Sequence, residues 1–410
     1  MNGISVIKEY KRTYPYYHLA SHLLGFTGVD DIGLEGLEYA FNSTLKPRKT
    51  SDPIRSVIYG SNIYLTIDSQ IQKIAEAVLH KGVDQNNGDG ATLIMVDASN
   101  GEILSLANYP DYDANDFNNY PKSFYKNVAV TNYYEPGSIF KIFSAAILLE
   151  EAKVKENDRF MCRGKIIVNG REIKCSKVHG LITFREVLKK SCNVGIIKAT
   201  LRIHRKDFYK YLKRFGFGKK TGVDLPGEIN GLLRPYKELN SLSKAMISFG
   251  HEIAVTPLQL IMAASSIANN GLLQKPVLIK KITDHKGKII KTFHPIIKNQ
   301  VLSKSTTKKL LSILESVLEP GGTGARARIN GLKLAGKTST INLFDKSLGK
   351  YREDLVNTAF LGFIPQGSKY LVVLIIVRKP MTHKAASQVA VPLFRDFLLE
   401  LLNKGLIRRQ

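Results

Sequence analysis

The sequence contains no apolar run long enough to cross a lipid bilayer. A transmembrane helix needs roughly 20 consecutive apolar residues, whereas the longest candidate, residues 371–377, has the length of one buried strand. Residues 1–8 also lack the apolar core of a secretion signal. We therefore expect neither a membrane anchor nor an export signal within this sequence.

Acidic residues are scarce: the chain has 35 of them against 60 lysines and arginines, which gives a formal net charge of +25. A charge of this size suggests a polyanionic partner such as nucleic acid. The basic residues, however, are spread along the whole chain, and the tightest groups, such as Lys219-Lys220 and Lys308-Lys309, are short. We predict no nucleic-acid partner and interpret the charge as a basic, solvated surface.

The composition is that of a globular protein with a sizeable core. Hydrophobic residues make up 44% of the 410 residues, which excludes disorder, and the length suggests a large domain with a smaller one. Residues 46–62 combine two prolines and basic charge with few large apolar side chains, which is typical of a linker. We therefore predict a small segment at residues 1–50 and a main domain at 51–410.

The hydrophobic pattern predicts an α/β (α+β) fold. A strand at residues 63–67 precedes a helix capped by Asp68, and two apolar runs flank Asn100-Gly101 as in a β-hairpin. A second hairpin signal surrounds residues 365–368, and a helix is predicted at 391–402. Because strands cluster at both ends and helices in the middle, we expect a sheet assembled from distant segments.

Ser138 and Lys141 carry the clearest chemical signal. They lie three residues apart in segment 135–149, which is apolar on nearly every side and therefore belongs inside the domain. Burial disfavours the charged ammonium, and the one-turn spacing brings the amine towards the hydroxyl. A neutral amine beside a hydroxyl is what a serine nucleophile requires. The alternative is a surface helix whose lysine extends into solvent.

Two further motifs accompany this pair. Ser191-Cys192-Asn193 precedes an apolar stretch, and Lys337-Thr338-Ser339-Thr340 lies in a strand-like stretch. Each motif is unspecific by itself. In this order, however, the three resemble the motifs of the penicillin-recognising serine transferases and hydrolases.

The resemblance covers nearly the whole chain. Segments 12–15, 22–30 and 33–38 are similar to the end of the pedestal module in class B penicillin-binding proteins, and to the cell-division type more than the elongation type. The resemblance implies a penicillin-binding-protein/β-lactamase-like transpeptidase domain at 51–410, with a mainly antiparallel sheet flanked by helices. Residues 1–50 then correspond to a remnant of the pedestal.

The resemblance implies a peptidoglycan D,D-transpeptidase that cross-links stem peptides and is inhibited by β-lactams. It assigns a nucleophile, its base, a proton relay, an amide-binding side chain and a carboxylate-binding lysine, in this order: Ser138, Lys141, Ser191, Asn193 and Lys337. The implied substrate-binding residues of the third motif are Thr338, Ser339 and Thr340. No cofactor is required for this chemistry. A glycan polymerase and other division proteins are the implied partners.

The chain departs from the family pattern in two ways. Ser339 occupies a position where glycine is usual, and on a strand its side chain shares the face of Lys337. We therefore expect a narrower groove and slower acylation by β-lactams. Family members also have a membrane helix and a longer pedestal before the segment seen here. The resemblance implies a cell-envelope location, at the periplasmic face of the inner membrane, although this sequence lacks the anchor.

The three cysteines of the chain fall close together and follow the pattern Cys-x12-Cys-x3-His-x12-Cys, formed by Cys162, Cys175, His179 and Cys192. Thiolate and imidazole ligands suit tetrahedral zinc, and elongation-type relatives have a metal-ligand cluster in the corresponding loop. A structural zinc here fixes the segment that contains Ser191. Two alternatives remain, namely a Cys162–Cys175 disulfide and unlinked cysteines.

Two other functions use the same motifs. A serine β-lactamase or D,D-carboxypeptidase delivers water to the acyl-enzyme instead of an amine. A non-catalytic or weakly active scaffold binds envelope or division proteins without turnover, and the serine at position 339 is compatible with it. The intact Ser138, Lys141, Ser191, Asn193 and Lys337 favour an active enzyme.

Overall fold

The computed structural model describes residues 11–49, 57–345 and 347–409. In these residues the largest sheet has five strands, and every neighbouring pair is antiparallel. Its strands in chain order are β1 Gly90–Asp97, β2 Ile103–Tyr109, β3 Ala335–Asp345, β4 Lys350–Gln366 and β5 Lys369–Arg378. Their spatial order is β3-β4-β5-β1-β2. The predicted sheet, mainly antiparallel and built from distant segments, is therefore confirmed.

Both predicted hairpins are present. The first joins β1 to β2 around Asn100-Gly101, and Gly101 adopts a φ of 76° there. The second joins β4 to β5, but β4 begins at Lys350 instead of near residue 356 as the apolar run suggested. The additional residues pair with the outer end of β3 through Leu343 opposite Arg352. This end of the hairpin is largely exposed, so its sequence lacks the apolar signal of a buried strand.

Seven helices of eight or more residues occur in the described part of the chain: α1 Ser69–Asn86, α2 Lys141–Glu150, α3 Asn193–Thr200, α4 Arg205–Arg214, α5 Pro257–Ala268, α6 Lys304–Glu315 and α7 Ala390–Asn403. The Asp68 carboxylate caps α1 by accepting hydrogen bonds from the N–H groups of Gln70 and Ile71, as predicted. Helix α7 covers the helix predicted at 391–402. Helices α1, α5 and α7 pack against the sheet.

The remaining elements are short and connect the sheet to these helices. The short helices are Ser21–Leu24, Gly36–Ala40, Asn42–Leu45, Val128–Thr131, Phe184–Lys189 and Ser241–Ile247. Single 3₁₀ turns are Phe117–Asn119, Lys122–Tyr125, Gly137–Phe140, Tyr236–Glu238, Ser316–Leu318 and Ala325–Ala327. The remaining strands are Arg48–Lys49, Val57–Ile58, Asn62–Leu65, Arg159–Cys162, Lys165–Val168, Arg171–Lys174, Gly180–Thr183, Leu232–Leu233, Ile253–Ala254, Leu272–Gln274, Ile279–Thr283, Ile289–Thr292 and Ile297–Gln300.

The N-terminal segment packs on the main body through aromatic side chains. Tyr14 and Phe26 form a separate buried cluster with Tyr112 and Ala114, and the rings of Phe26 and Phe117 stack at 3.9 Å between centroids. The predicted boundary after residue 50 falls in the stretch 50–56, outside the described residues, and stays a prediction. Among the residues that are described, none of the helices is both long and apolar enough to span a membrane.

Candidate active site

Ser138 lies on a tight turn that leads directly into α2. The turn is the 3₁₀ helix Gly137–Phe140, and Gly137 adopts a φ of 51°. The Gly137 N–H donates a hydrogen bond of 3.2 Å to the carbonyl oxygen of Gly250. A Cβ on Gly250 would lie 2.1 Å from the Gly137 oxygen, so only glycine permits this approach. The turn therefore holds Ser138 rigidly against the loop at residues 249–252, which we call the 250 loop.

The Lys141 amine joins the first two motifs. Helix α2 buries every side chain from Lys141 to Leu148, as its apolar sequence predicted. The Lys141 Nζ lies 2.9 Å from Ser138 Oγ and 2.7 Å from Asn193 Oδ1. It also lies 2.8 Å from the Ser191 carbonyl oxygen and 3.1 Å from Ser191 Oγ. The structure thus brings these four motif residues to one point.

Burial sets the protonation of this amine. Lys141 is fully buried, and desolvation lowers its pKa to about 8, while negative charge on Cys175 and Cys192 acts in the opposite direction. A lysine with this pKa has an appreciable neutral fraction near neutral pH. Its free lone pair can then accept the proton of the Ser138 hydroxyl, which lies within hydrogen-bonding distance.

Lys337 completes the group from strand β3. Its side chain is fully buried, and its Nζ lies 2.8 Å from Ser191 Oγ and 3.2 Å from the Thr338 carbonyl oxygen. Burial, followed by the charge of Lys141, lowers the pKa of Lys337 well below its ordinary value. Ser191 therefore lies between the two amines. It adopts a φ of 57°, a conformation that is uncommon for serine and occurs often at functional sites.

The three threonine and serine residues after Lys337 occupy different surroundings. Thr338 Oγ1 donates a hydrogen bond of 2.7 Å to Thr323 Oγ1, and Thr340 Oγ1 accepts one of 2.9 Å from the Ala386 N–H. Ser339 is 1% exposed, and its hydroxyl is buried near the Tyr134 hydroxyl, on whose pKa it has a lowering effect. A Cβ on Gly137 would lie 2.6 Å from Ser339 Oγ. The Ser339 side chain thus packs against the turn that carries the nucleophile.

The four predicted metal ligands also converge. The ligand atoms of Cys162, Cys175, His179 and Cys192 all lie within 4.8 Å of one another, and the cysteines are free thiols, so the Cys162–Cys175 disulfide does not form. His179 Nδ1 is 3.6 Å from the sulfurs of Cys162 and Cys175, and the Cys175 and Cys192 sulfurs are 3.8 Å apart. Tetrahedral zinc places such ligand atoms roughly 3.5–3.8 Å apart, given Zn–S of about 2.3 Å and Zn–N of about 2.0–2.1 Å.

The metal-ligand cluster contacts the active site directly. Cys175 Sγ accepts a hydrogen bond of 3.3 Å from the Asn193 N–H, and Asn193 Nδ2 donates one of 3.2 Å to the Lys174 carbonyl oxygen. Cys192 caps α3 by accepting from the Gly195 N–H at 3.2 Å. The cluster therefore holds the segment that carries Ser191 and Asn193.

Sequence reasoning missed several polar residues around the cleft. Thr323 contacts Thr338 from a glycine-rich loop, and Glu135, His251 and Tyr351 meet beside the nucleophile turn. Glu135 directly precedes the Pro-Gly of that turn, which is the signal that could have identified it. Thr323 and Tyr351 gave no comparable signal, because they reach the site only through tertiary contacts.

Comparison with known proteins places this geometry in a family. Residues 91–399 match the family described as the penicillin binding protein transpeptidase domain. The chain belongs to this family. Stage V sporulation protein D of Bacillus subtilis is 36% identical over 98% of this chain and 66% of its own length. Peptidoglycan D,D-transpeptidase FtsI of Buchnera aphidicola is 32% identical over 98% of this chain and 71% of its own length.

Solved structures of penicillin-binding proteins share the fold. Penicillin binding protein 3 from Mycobacterium tuberculosis, in its apo form, has a TM-score of 0.91 and 26% identity, over 98% of this chain and 92% of that one. The complex of the same protein with aztreonam has a TM-score of 0.91 and 27% identity, and the match covers 98% of this chain and 91% of that one. The predicted class B penicillin-binding protein, with division-type FtsI relatives, is confirmed, as is the predicted fold.

The protonation of Lys141 predicts the pH dependence of acylation of this penicillin-binding protein. With the neutral Lys141 amine as the predicted base, the second-order rate of penicillin acylation should rise about tenfold per pH unit well below pH 8 and level off above it. Stopped-flow fluorescence between pH 6 and 9.5 measures this rate. Lys141→Arg should abolish acylation, whereas the control Lys404→Arg, on an exposed residue, should keep the wild-type profile. A flat profile would contradict the role of Lys141.

Because the Ser339 side chain is buried against the turn that carries Ser138, we expect the Ser339→Gly variant to be acylated by penicillin faster than the wild type. Ser339→Gly removes the contact with the nucleophile turn, and relief of about 1 kcal/mol in the barrier corresponds to an about fivefold faster reaction. Ser339→Ala keeps the Cβ and removes only the hydroxyl, so it separates the contribution of the Cβ from that of the hydroxyl. Acylation rates with a fluorescent penicillin test this prediction, and an equal or slower rate in Ser339→Gly contradicts it.

Proposed function

We propose that the chain is a peptidoglycan D,D-transpeptidase that cross-links stem peptides through an acyl-enzyme on Ser138. The observation that carries the proposal is the buried Lys141 amine at 2.9 Å from the Ser138 hydroxyl, with a pKa of about 8. The relatives named peptidoglycan D,D-transpeptidase and the aztreonam complex of a structural neighbour support the same reaction. The chemistry uses groups of the protein itself and needs no cofactor.

In the acylation step, Ser138 Oγ attacks the carbonyl carbon of the penultimate D-Ala of a donor stem peptide. Lys141 takes the hydroxyl proton, and Ser191, which contacts both lysines, passes a proton to the departing nitrogen of the terminal D-Ala. The Asn193 amide holds the substrate amide. The charged form of Lys337 binds the terminal carboxylate.

Thr338, Ser339 and Thr340 line the donor side of the proposed cleft on strand β3. The backbone N–H groups of Ser138 and Thr340 serve as the oxyanion hole in this proposal. In the second step, an amine of a neighbouring stem peptide attacks the ester and releases Ser138. β-Lactams acylate the same serine and block this second step.

The division-type relatives also support a proposal for partners, location and domains. We infer that a glycan polymerase and other division proteins act together with the chain at the periplasmic face of the inner membrane. In the same proposal, residues 1–50 form the end of the pedestal, and 51–410 form the transpeptidase domain. The relatives named FtsI favour this setting over a free hydrolase.

Covalent labelling tests the nucleophile. Wild-type protein incubated with a fluorescent penicillin should carry one stable label on the peptide containing Ser138, detected by gel fluorescence and mass spectrometry, and Ser138→Ala should carry none. Ser144→Ala, a buried serine six residues along the same helix, is the matched control and should label normally. A label that persists in Ser138→Ala contradicts the nucleophile. Rapid loss of the label favours a β-lactamase, and absence of labelling in the wild type favours a scaffold.

We further propose that Cys162, Cys175, His179 and Cys192 bind a structural zinc ion. The convergence of three sulfurs and one imidazole nitrogen at distances that suit a tetrahedral ion supports it. The ion would supply only structural cross-linking. By holding it, Cys162, Cys175, His179 and Cys192 would join their three chain segments and thereby position the segment between Ser191 and Asn193.

Metal analysis tests the zinc site. Protein purified without chelator should contain about one zinc per chain by mass spectrometry, and Cys192→Ser and His179→Ala should lose most of it and unfold at lower temperature. His383→Ala changes an exposed histidine outside the cluster and should keep the wild-type zinc content and Tm. Negligible zinc in the wild type and in all variants would contradict the proposal.

A further inference from the structure

A second polar cluster lies beside the nucleophile turn, on the side of the 250 loop. Three backbone hydrogen bonds fix this arrangement. Tyr134 and Val255 exchange hydrogen bonds of 2.8 and 2.9 Å, and Gly137 N–H donates to Gly250 O at 3.2 Å. Glu135 lies between these two attachments. Its carboxylate is therefore held next to the turn that carries the nucleophile.

Side chains from three elements meet at Glu135. The Tyr351 hydroxyl of β4 lies 3.2 and 3.4 Å from the two Glu135 carboxylate oxygens. His251 Nδ1 lies 3.9 Å from Glu135 Oε2, and its ring packs at 4.9 Å from that of Phe249 and at 5.6 Å from that of Tyr351. Burial, followed by the charge of Lys141, lowers the pKa of His251 to about 4, so the imidazole is neutral and near the lysine.

The carboxylates of this cluster have no lysine or arginine bound to them among the described residues. Glu135 forms no ion pair with a lysine or arginine anywhere in the described ranges, although the chain has a net charge of +25. The Glu135 side chain is 32% exposed; its partial burial raises the pKa of the carboxyl, and the Tyr351 hydrogen bond acts in the opposite direction. The neighbouring Glu252 has a φ of 56°, and its Oε2, like His251 Nδ1, is buried without a hydrogen-bond partner in the described residues. Glu252 also contributes to raising the pKa of Tyr351 to about 12.

Carboxylates that are partly withdrawn from water are stabilised by a nearby cation or by several hydrogen-bond donors. Of the basic groups near this cluster, Lys141 faces Ser138 and Arg171 acts on Tyr351 only through its charge. Within the described residues, no lysine or arginine forms an ion pair with Glu135, and Glu252 Oε2 and His251 Nδ1 are buried without a hydrogen-bond partner. A ligand that supplies an ammonium group would satisfy them.

We propose that Glu135, with Glu252, His251 and Tyr351, binds the ammonium group of the acyl acceptor, the second stem peptide of the cross-linking reaction. This inference rests on the proposed transpeptidase function. It assigns opposite charges to the two sides of the cleft. Lys337 binds the carboxylate of the donor on one side, and Glu135 binds the amine of the acceptor on the other.

The proposed step balances without a further reactant. The acceptor ammonium transfers one proton to the Glu135 carboxylate, and the resulting neutral amine attacks the carbonyl carbon of acyl-Ser138. The C–N bond forms and the ester C–O bond breaks, while Lys141 passes the second amine proton to Ser138 Oγ. Glu135 then releases its proton to solvent. The products are an amide cross-link and free Ser138.

Partition kinetics test the assignment. A D-alanyl thioester acylates Ser138, and D-alaninamide at increasing concentration competes with water for the acyl-enzyme. Chromatography gives the ratio of aminolysis to hydrolysis. In Glu135→Gln, which keeps the shape but not the charge, the D-alaninamide concentration for half-maximal aminolysis should rise about tenfold, equivalent to about 1.4 kcal/mol. Tyr351→Phe should shift it in the same direction by a smaller factor.

Controls separate this inference from the proposed function. Glu400→Gln removes an exposed carboxylate on α7 and should keep the wild-type ratio. Penicillin labelling of each variant shows whether Ser138 is still presented correctly, and Tyr351→Phe remains informative if Glu135→Gln does not fold. An unchanged half-maximal concentration in correctly labelled variants overturns the acceptor site alone. Slower hydrolysis with unchanged aminolysis also overturns it and assigns Glu135 to water. Absence of labelling in the wild type overturns the proposed function.

Discussion

The structure depends on two buried lysine amines that share one serine hydroxyl. The Ser191 Oγ lies 3.1 Å from the Lys141 Nζ and 2.8 Å from the Lys337 Nζ, so the amines are no more than about 6 Å apart. Burial, followed by the charge of Lys141, lowers the pKa of Lys337 well below its ordinary value, and burial lowers the pKa of Lys141 to about 8. At least one of the two amines is therefore neutral at a pH where lysine is ordinarily charged, and in our proposal a neutral amine activates Ser138.

The fold maintains this unfavourable arrangement by surrounding it with rigid elements. Helix α2 is buried on nearly all sides, so Lys141 cannot extend to solvent. Lys337 lies on β3, which pairs with β4 along most of its length. Ser191 adopts a left-handed conformation that costs energy, and the Cys192 and Cys175 sulfurs accept hydrogen bonds from the backbone on its C-terminal side. The favourable packing of the core therefore offsets the free-energy cost of burying the two amines and of the left-handed Ser191 backbone.

Local patterns in the sequence predicted individual helices, hairpins and the Ser138–Lys141 pair, whereas the transpeptidase fold and the roles of Ser191, Asn193 and Lys337 were predicted from the family resemblance. Hydrophobic periodicity located α7, the cap at Asp68 and the hairpin at Asn100, and the spacing of Ser138 and Lys141 placed them on one face of a helix. The outer end of β4 escaped prediction, since its pairing is exposed and polar. Thr323 and Tyr351 could not be assigned either, because their partners lie far away in the sequence. The location of Ser339 beneath Gly137 depends in the same way on how β3 and the nucleophile turn pack.

The lysine side and the Glu135 side of the cleft have different roles in our proposal, which explains how the same acylation site can serve either hydrolysis or transpeptidation. Serine hydrolases and transpeptidases of this motif type form the same ester, and they differ in whether water or an amine reaches it. The lysine group alone cannot make this distinction, because it acts on the serine and the leaving group in both cases. A carboxylate beside the nucleophile turn can, because it attracts an ammonium and accepts its proton. In the described part of this chain Glu135 has no lysine or arginine partner, although the protein has a large excess of positive charge. In our proposal its position favours an amine over water as the second reactant.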